Sequence, residues 1–187
     1  MDADDISKKS RFELELNEFQ KDNNLSVVGS NIAEFEENIN DLKTIREVPL
    51  LDNDIKRYMK KRCPMNQMSV MFKKNNIILA GGYLDWYHEE DYYLWIRMAL
   101  KNMKFKNLKE ILVFARVSST TYLRRGGVKY YSSEKKLQKY MYNSKIIKYP
   151  RYVYNIFIRF IVQILLPNKL RKIVFNNFAR KNIKRKK

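Results

Sequence analysis

The sequence predicts an α/β domain, because stretches with helical periodicity alternate with short apolar stretches that suit buried strands. Helical patterns occupy residues 8–22, 52–62 and 90–102, and strand-like apolar runs occupy residues 25–30, 68–72 and 111–115. Three strands make a thin sheet, whereas the parallel strands of an α/β domain are normally buried on both faces of a larger one. We therefore expect the chain to form only part of such a sheet.

The first helix is predicted to be amphipathic. Phe12, Leu16 and Phe19 recur along one face, with Leu14 as an alternative apolar position. The strand that follows ends at a glycine, Gly29. Residues 34–47 are polar and acidic, which predicts a surface loop.

The middle of the chain is divided by turn signals and helix caps. Asp52 or Asn53 can cap the second helix, and Pro64 ends it. The run Lys73–Asn76 predicts a turn after the second strand. The third helix follows a Gly-Gly turn, and a third strand lies within Phe105–Arg116.

The composition excludes several kinds of site. The 187 residues include one cysteine, Cys63, and one histidine, His88, so neither an internal disulfide nor a zinc site of four Cys and His ligands can form. A single cysteine fits a reducing compartment. The acidic start of the chain is unlike a signal peptide, so none is expected.

Charge divides the chain into two predicted regions, a catalytic part at 1–127 and a helical tail at 128–187. Residues 1–60 carry a net charge of −5, whereas the tail has 17 Lys and Arg and one acid, Glu134. Within the tail, Asn155, Arg159 and Gln163 recur every four residues among apolar neighbours. Basic and apolar faces together favour a helix lying on anionic lipid, although a packed helical appendage with a solvated end is the alternative. No nucleic-acid motif accompanies the charge, so no nucleic-acid partner is expected.

Two acidic groups could carry chemistry. Glu89, Glu90 and Asp91 follow His88 at the start of the third helix, where carboxylates also simply suit the helix dipole. The segment at residues 2–5 is Asp-Ala-Asp-Asp, and carboxylates two apart can share a hard cation. An acidic tail or a helix cap is the alternative for that segment.

Five short motifs resemble the family 2 glycosyltransferases of bacterial surface-polysaccharide synthesis, which are inverting enzymes with the GT-A fold. In order, they are Met-Asp-Ala-Asp-Asp-Ile-Ser at 1–7, Val-Val-Gly-Ser at 27–30, Val-Met-Phe-Lys-Lys at 70–74, Ala-Gly-Gly-Tyr at 80–83 and Glu-Glu-Asp-Tyr-Tyr-Leu-Trp at 89–95. The resemblance covers most of residues 1–127.

The resemblance implies residue roles. Asp2 and Asp4 correspond to the family's Asp-x-Asp motif, which holds Mg²⁺ or Mn²⁺ against the diphosphate of a nucleotide sugar. Glu90 and Asp91 correspond to its Glu-Asp pair, and Asp91 would be the general base. The Gly-Gly loop and a strand-associated Gln67 would contact substrate, although many relatives carry histidine at the position of Gln67.

The loop after the third strand contains further candidates. Arg124 and Arg125 would cover the diphosphate as a mobile clamp, or else form a solvated basic turn. The two glycines of the Gly-Gly loop are Gly81 and Gly82.

The resemblance also implies what the 187 residues omit. The family's nucleotide-binding half precedes its Asp-x-Asp motif, and no such segment precedes Asp2. We therefore expect the C-terminal portion of a GT-A domain with little activity alone, located at the inner face of the cell membrane. The expected partners are a nucleotide-sugar donor, a saccharide or lipid-linked acceptor, and a separately encoded N-terminal half. A non-catalytic, membrane-associated module is the alternative function.

Overall fold

The computed structural model describes residues 3–118 and 125–183. Within these ranges, seven α-helices surround one six-stranded mixed sheet, which confirms the α/β prediction. The helices are α1 (Arg11–Lys21), α2 (Asp52–Met59), α3 (Lys74–Leu79), α4 (Glu90–Leu100), α5 (Val128–Asn143), α6 (Tyr149–Phe160) and α7 (Asn168–Ala179). The strands are β1 (Ile6–Ser7), β2 (Leu25–Phe35), β3 (Leu42–Arg46), β4 (Met71–Phe72), β5 (Lys104–Arg116) and β6 (Lys181–Asn182).

The sheet is built around a long parallel pair, β2 and β5, and every residue of β2 is buried. The order along the sheet is β1-β5-β2-β3-β6, and β1, β3 and β6 each run antiparallel to their neighbour. The short β4 pairs with the first half of β2, at Val27 and Val28, and β3 pairs with the second half. The parallel pair thus brings the C-terminal ends of β2 and β5 to one edge, where the sheet is widened by β1 and β3.

The described residues form six strands where three were predicted: β1, β3 and β6 were not expected, and β3 arises because the polar segment at 34–47 is not a loop throughout. The strand β2 continues to Phe35, and β3 covers Leu42–Arg46. Glu34 is buried, and it pairs with Arg180 at 2.6 Å and accepts a hydrogen bond from Thr44 Oγ1. The acidic composition therefore misled the prediction, since partners distant in sequence neutralise this carboxylate.

Two other local predictions were wrong, and a third was correct only in part. The turn predicted at Lys73–Asn76 is the beginning of α3. The strand predicted at 68–72 consists of a 3₁₀ turn at Gln67–Ser69 followed by the two residues of β4. The apolar face predicted for α1 is correct only in part. Phe19 is buried as predicted, but Phe12 is 63% exposed and Leu16 is 51% exposed, and the buried side also includes Arg11 and Glu15, which form an ion pair.

The main apolar core joins the two halves of the chain. Trp95 and Met98 of α4 lie in one cluster with Leu137 and Met141 of α5, and all four are fully buried. The cluster also contains Ile55 of α2. Residues on both sides of the predicted boundary at 127 therefore share a core, and α5 is attached to the sheet domain through buried side chains.

The C-terminal helices follow one another through proline-marked turns. Pro150 lies in the first turn of α6, where its missing amide hydrogen costs no helical bond. After Phe160 the helix widens into a π-helical turn, Ile161–Leu165, and Pro167 precedes α7. No helix in the described part of the chain is long and apolar enough to cross a membrane.

We predict that Leu137→Ala lowers the free energy of unfolding by about 2–5 kcal/mol, because it leaves a cavity in the shared core. Lys136 is exposed on the same helix, so Lys136→Ala is the matched control and should change that free energy by less than about 0.5 kcal/mol. Urea unfolding of both variants measures the difference. Equal, small effects would show that α5 does not contribute to the core.

Candidate active site

The start of α4 places three carboxylates at different depths. Glu89 is the residue before the helix and is buried, Glu90 is exposed, and Asp91 is half-buried. The chain enters the helix through His88, which has a φ of 57°. Because few residues other than glycine adopt positive φ, the approach to α4 is tightly constrained.

The Gly-Gly loop is held in place by Arg97 of α4. Gly81 and Gly82 have φ values of 91° and 66°, which a residue with a Cβ rarely adopts. The Arg97 guanidinium donates to the carbonyl oxygens of Ala80 and Gly82, each at 2.6 Å. The loop is therefore a fixed extension of α4.

Gln67 lies beside this loop. Its Nε2 donates to the hydroxyl oxygen of Tyr83 at 2.6 Å. Burial raises the pKa of Tyr83, and the Asp91 and Glu90 carboxylates raise it further. Gln67, the Gly-Gly loop and the start of α4 thus lie in one neighbourhood, although Gln67 precedes the start of α4 by more than 20 residues in the sequence.

A cavity of about 310 Å³ opens beside Asp91. Its polar lining contains four arginines and three carboxylates, and its remaining lining comes largely from the C-terminal helices. The lining side chains are those of Arg46, Arg62, Cys63, His88, Glu89, Asp91, Tyr92, Arg125, Tyr130, Glu134, Ile158, Arg159, Val162, Gln163 and Val174. The cavity is the strongest candidate for a substrate site in the described part of the chain, because it combines concavity with convergent charge.

Burial shifts the ionisation of the acidic lining. Desolvation raises the pKa of Asp91, and the neighbouring Glu90 raises it further. Desolvation raises the pKa of Glu89 well above its usual range, and repulsion from Glu134 adds to the effect. The Glu89 carboxyl accepts a hydrogen bond of 2.7 Å from the Tyr130 hydroxyl. A carboxylate with a raised pKa is a stronger base, which suits proton abstraction by Asp91.

The basic lining comes from four separate segments. Arg46 ends β3, Arg62 follows α2, Arg125 precedes α5 and Arg159 lies on α6. Burial lowers the pKa of Arg46 to about 10, and Arg180, Arg125 and Arg62 contribute by repulsion. Arg46 remains protonated at neutral pH, so the cavity concentrates positive charge.

Helix α6 is fixed to this wall through its polar side. Arg159 forms an ion pair of 2.5 Å with Glu134 of α5, and it also donates to the carbonyl oxygen of Lys61. One turn earlier, Asn155 Nδ2 donates to the carbonyl oxygen of Lys60 and to Gln138. The tail region thus forms one side of the cavity.

The loop that carries Arg125 is attached to the same wall. The amide of Gly127 donates to the carbonyl oxygen of Gln163 at 3.0 Å. A Cβ on Gly126 would lie 1.7 Å from Arg171 Nη1, so a larger residue there would displace the Arg171 guanidinium. The segment that carries Arg125 therefore packs against the π-helical turn and α7.

The remaining predicted residues have diverse positions. Glu90 does not line the cavity, and Asp4 is exposed just before β1. Its neighbour Asp5 accepts a hydrogen bond from the Arg116 amide at the end of β5. Asp2 and Arg124 lie outside the described residues. Within residues 3–118 and 125–183, no three His, Cys, Asp or Glu side chains are grouped to hold a metal ion.

Sequence reasoning missed most of the cavity. It singled out Asp91 and Arg125 but gave no role to Glu89, Arg46 or Arg62. Two sequence patterns did point to the cavity wall. Arg159 belongs to the periodic polar stripe and Glu134 is the single acid of the tail, and these two side chains form the ion pair in the wall. Tyr83 and Tyr130 had no such signal, since their roles depend on contacts across the fold.

Comparison with known proteins identifies the class of this chain, although no family model matches it. It is 37% identical over 180 residues to the UDP-Gal:α-D-GlcNAc-diphosphoundecaprenol β-1,3-galactosyltransferase of Escherichia coli, covering 96% of this chain and 65% of the relative. It is 37% identical over 181 residues to an uncharacterized glycosyltransferase of Haemophilus influenzae, covering 97% of this chain and 67% of the relative. The amylovoran biosynthesis glycosyltransferase AmsE of Erwinia amylovora is 32% identical over 137 residues, covering 73% of this chain and 51% of the relative.

The chain belongs to the glycosyltransferases. It spans about two thirds of the length of the first two relatives.

We predict that Glu89→Gln makes the stability less dependent on pH. An unfolded glutamate loses its proton near pH 4.3, but the fold raises the pKa of Glu89. Its stabilising contribution is therefore complete below the unfolded pKa and is lost as pH rises towards the folded pKa. Glutamine keeps the acceptor for Tyr130 and cannot ionise.

Thermal unfolding between pH 5 and pH 8 measures this effect. The wild-type chain should lose more stability than Glu89→Gln over that range. Glu15, whose pKa burial raises to about 7, contributes equally to both proteins. Glu13→Gln, at an exposed position, is the control and should follow the wild type. Parallel curves for wild type and Glu89→Gln would contradict a buried, protonated Glu89.

Proposed function

We propose that the chain forms the acceptor side of an inverting family 2 glycosyltransferase of the GT-A fold, with Asp91 as the general base. The observation that carries the proposal is the position of Asp91, half-buried at the start of α4 in a cavity with four arginines. Its raised pKa and the glycosyltransferase relatives support the same conclusion.

The proposed chemistry is a single displacement. The Asp91 carboxylate accepts the proton of an acceptor hydroxyl as the hydroxyl oxygen attacks the anomeric carbon of the donor sugar. The bond from that carbon to the leaving nucleoside diphosphate breaks, and the electron pair departs with the diphosphate. Attack from the face opposite the leaving group inverts the anomeric configuration. Gln67 and Tyr83, which contact each other beside Asp91, are suited to orient the acceptor sugar.

A divalent cation remains part of the proposal. Carboxylate oxygens suit Mg²⁺ or Mn²⁺, and Asp2 and Asp4 would supply them. Asp4 is exposed, and Asp5 beside it is engaged with β5. When bound, the metal would neutralise negative charge on the leaving diphosphate.

The proposed substrates are a nucleotide sugar and a lipid-linked sugar diphosphate. The name of the Escherichia coli relative specifies UDP-galactose and a GlcNAc-diphospholipid for that protein. A lipid-linked acceptor requires the cavity to lie near a membrane surface. The orientation of α6 supports this requirement.

Helix α6 has its apolar side outward. Its polar stripe faces the protein, since Asn155 and Gln163 are 3% and 5% exposed. An ordinary surface helix has the reverse arrangement. The exposed apolar side chains of α6 and the π-helical turn are Tyr149, Val153, Tyr154, Phe157, Ile158, Phe160 and Leu165.

Lysines border this apolar face at both ends. Lys148 precedes α6, and Lys169 follows the π-helical turn, and both are exposed. An apolar face with basic flanks suits a bilayer that contains anionic lipid. We therefore propose that this surface rests on the inner face of the cell membrane.

The chain spans about two thirds of the length of its first two relatives, and this leaves a second function open. A non-catalytic module on the membrane, which complements a separately encoded nucleotide-binding part, would use the same exposed face of α6. Such a chain would bind donor weakly alone and would co-purify with a nucleotide-binding partner. An enzyme would transfer sugar, and this difference separates the two functions.

We predict that Asp91→Asn lowers transfer by about 10²- to 10⁴-fold, the usual contribution of a general base. The assay supplies UDP-galactose and a GlcNAc-diphospholipid to the chain alone and to the chain joined to the part of the Haemophilus influenzae relative that it does not match. Donor binding should survive the substitution. Asp54→Asn, at an exposed position on α2, is the control. Unchanged transfer by Asp91→Asn would remove Asp91 as the base.

We predict that Phe157→Glu together with Leu165→Glu abolishes binding to vesicles that contain phosphatidylglycerol, because both side chains are 59% exposed on the proposed membrane face. Binding by the wild type should weaken as salt increases. Phe12→Glu, at another exposed apolar position on α1, is the matched control and should bind normally. Normal vesicle binding by the double variant would contradict a membrane-facing α6.

A further inference from the structure

The cavity has an excess of positive charge that the proposed base does not explain. Four guanidinium groups and three carboxyl groups line it. Arg159 is paired with Glu134, and Arg46 donates a hydrogen bond to the carbonyl oxygen of Cys63. The Glu89 carboxyl is buried and accepts a hydrogen bond from Tyr130. By formal charge, the cations of the lining therefore outnumber its anions.

The arginines are also close enough to repel one another. Burial lowers the pKa of Arg46, and repulsion from Arg62 and Arg125, which enter the cavity from other segments, lowers it further. Gathering like charges in a partly desolvated cavity costs free energy, and such arrangements cluster at functional sites. A bound anion would relieve the repulsion.

The apolar side of the cavity leads to the exposed face of α6. Ile158 lines the cavity and is also 38% exposed, next to Phe157 on the outer surface. Val162 continues the apolar lining one turn later. Base, cations and apolar surface thus adjoin one another in a single cavity.

We propose that Arg46, Arg62 and Arg125 bind the diphosphate of the lipid-linked acceptor, with the lipid chain leaving past Ile158. Arg125 is thereby reassigned from the clamp that the sequence predicted over the donor diphosphate. The proposal rests on the proposed function. In an inverting displacement, the base and the leaving diphosphate lie on opposite faces of the anomeric carbon. A diphosphate site beside Asp91 therefore belongs to the acceptor, whose own diphosphate is one sugar ring away from the attacking hydroxyl. Planar guanidinium groups match phosphate oxygens through paired hydrogen bonds.

Calorimetric titration of the 187-residue chain tests the site directly. The probes are inorganic pyrophosphate, a short-chain prenyl diphosphate that carries GlcNAc, and UDP. We expect Arg46→Gln and Arg62→Gln each to weaken binding of the GlcNAc-diphospholipid by about tenfold or more. Arg57→Gln is the matched control, because Arg57 is exposed on α2 and forms a surface pair with Asp54. Arg46→Lys keeps the charge and should retain part of the affinity, and thermal unfolding verifies that each variant is folded.

The outcomes separate the possible sources of the diphosphate. Loss of acceptor and pyrophosphate binding with UDP binding unchanged supports the proposal. A loss confined to UDP binding would assign the cavity to the donor and overturn the proposal. Acceptor binding equal to that of the wild type in folded Arg46→Gln and Arg62→Gln would also overturn it. The proposed function and the diphosphate site can fail separately. If acceptor binding depends on the arginines but no sugar is transferred, the diphosphate site is supported and the proposed activity is contradicted. If Arg46→Gln transfers sugar with an unchanged KM for the acceptor, the activity is supported and the diphosphate site is contradicted.

Discussion

The hydrogen bond from Tyr130 to Glu89 joins the two parts of the chain at the point where the candidate chemistry lies. Glu89 precedes α4, two residues before Asp91, and Tyr130 lies in the first turn of α5. The ion pair between Arg159 and Glu134 extends this contact to α6. Because these groups are largely buried, breaking either contact would leave polar atoms without partners in the protein interior. The wall of the cavity therefore depends on the C-terminal helices as much as on the sheet.

This arrangement gives α6 two surfaces with different roles. Its polar side fixes the cavity through Asn155 and Arg159, and its apolar side is exposed. A lipid-linked acceptor has the same sequence of properties, with a sugar, a diphosphate and an apolar chain. The proposed base, the arginines and the outer face of α6 match these three parts in turn. Helix α6 would then serve membrane attachment through its outer face and acceptor recognition by fixing one wall of the cavity.

Some of this organisation could be predicted from sequence, because it depends on local patterns. The helix that begins at Glu90 follows from acidic residues ahead of an apolar run, and β5 follows from its apolar stretch. The periodicity of Asn155, Arg159 and Gln163 indicated one polar face on α6. The pattern could not reveal which way that face points. Its direction is set by Glu134 and by the backbone carbonyls of residues 60 and 61.

Other features depend on contacts that no local pattern records. Glu34 and Thr44 are polar, yet they lie in buried parts of the sheet because Arg180, far away in sequence, pairs with the carboxylate. The arginine cavity likewise gathers side chains from β3, α6 and two loops. Glu90 and Asp91 are adjacent in sequence, but the turn of the helix exposes the first and directs the second to the cavity. A motif identifies the pair and does not specify that difference.

A double-mutant cycle tests most directly whether the C-terminal helices are part of the site. The free energy of unfolding is measured for the wild type, Tyr130→Phe, Glu89→Ala and the double variant. Residues in direct contact show coupling energies of about 0.5–3 kcal/mol, and we expect about 1 kcal/mol or more for this buried pair. Additive effects, within about 0.3–0.5 kcal/mol, would show that Tyr130 does not hold the start of α4 and would contradict the shared construction of the site.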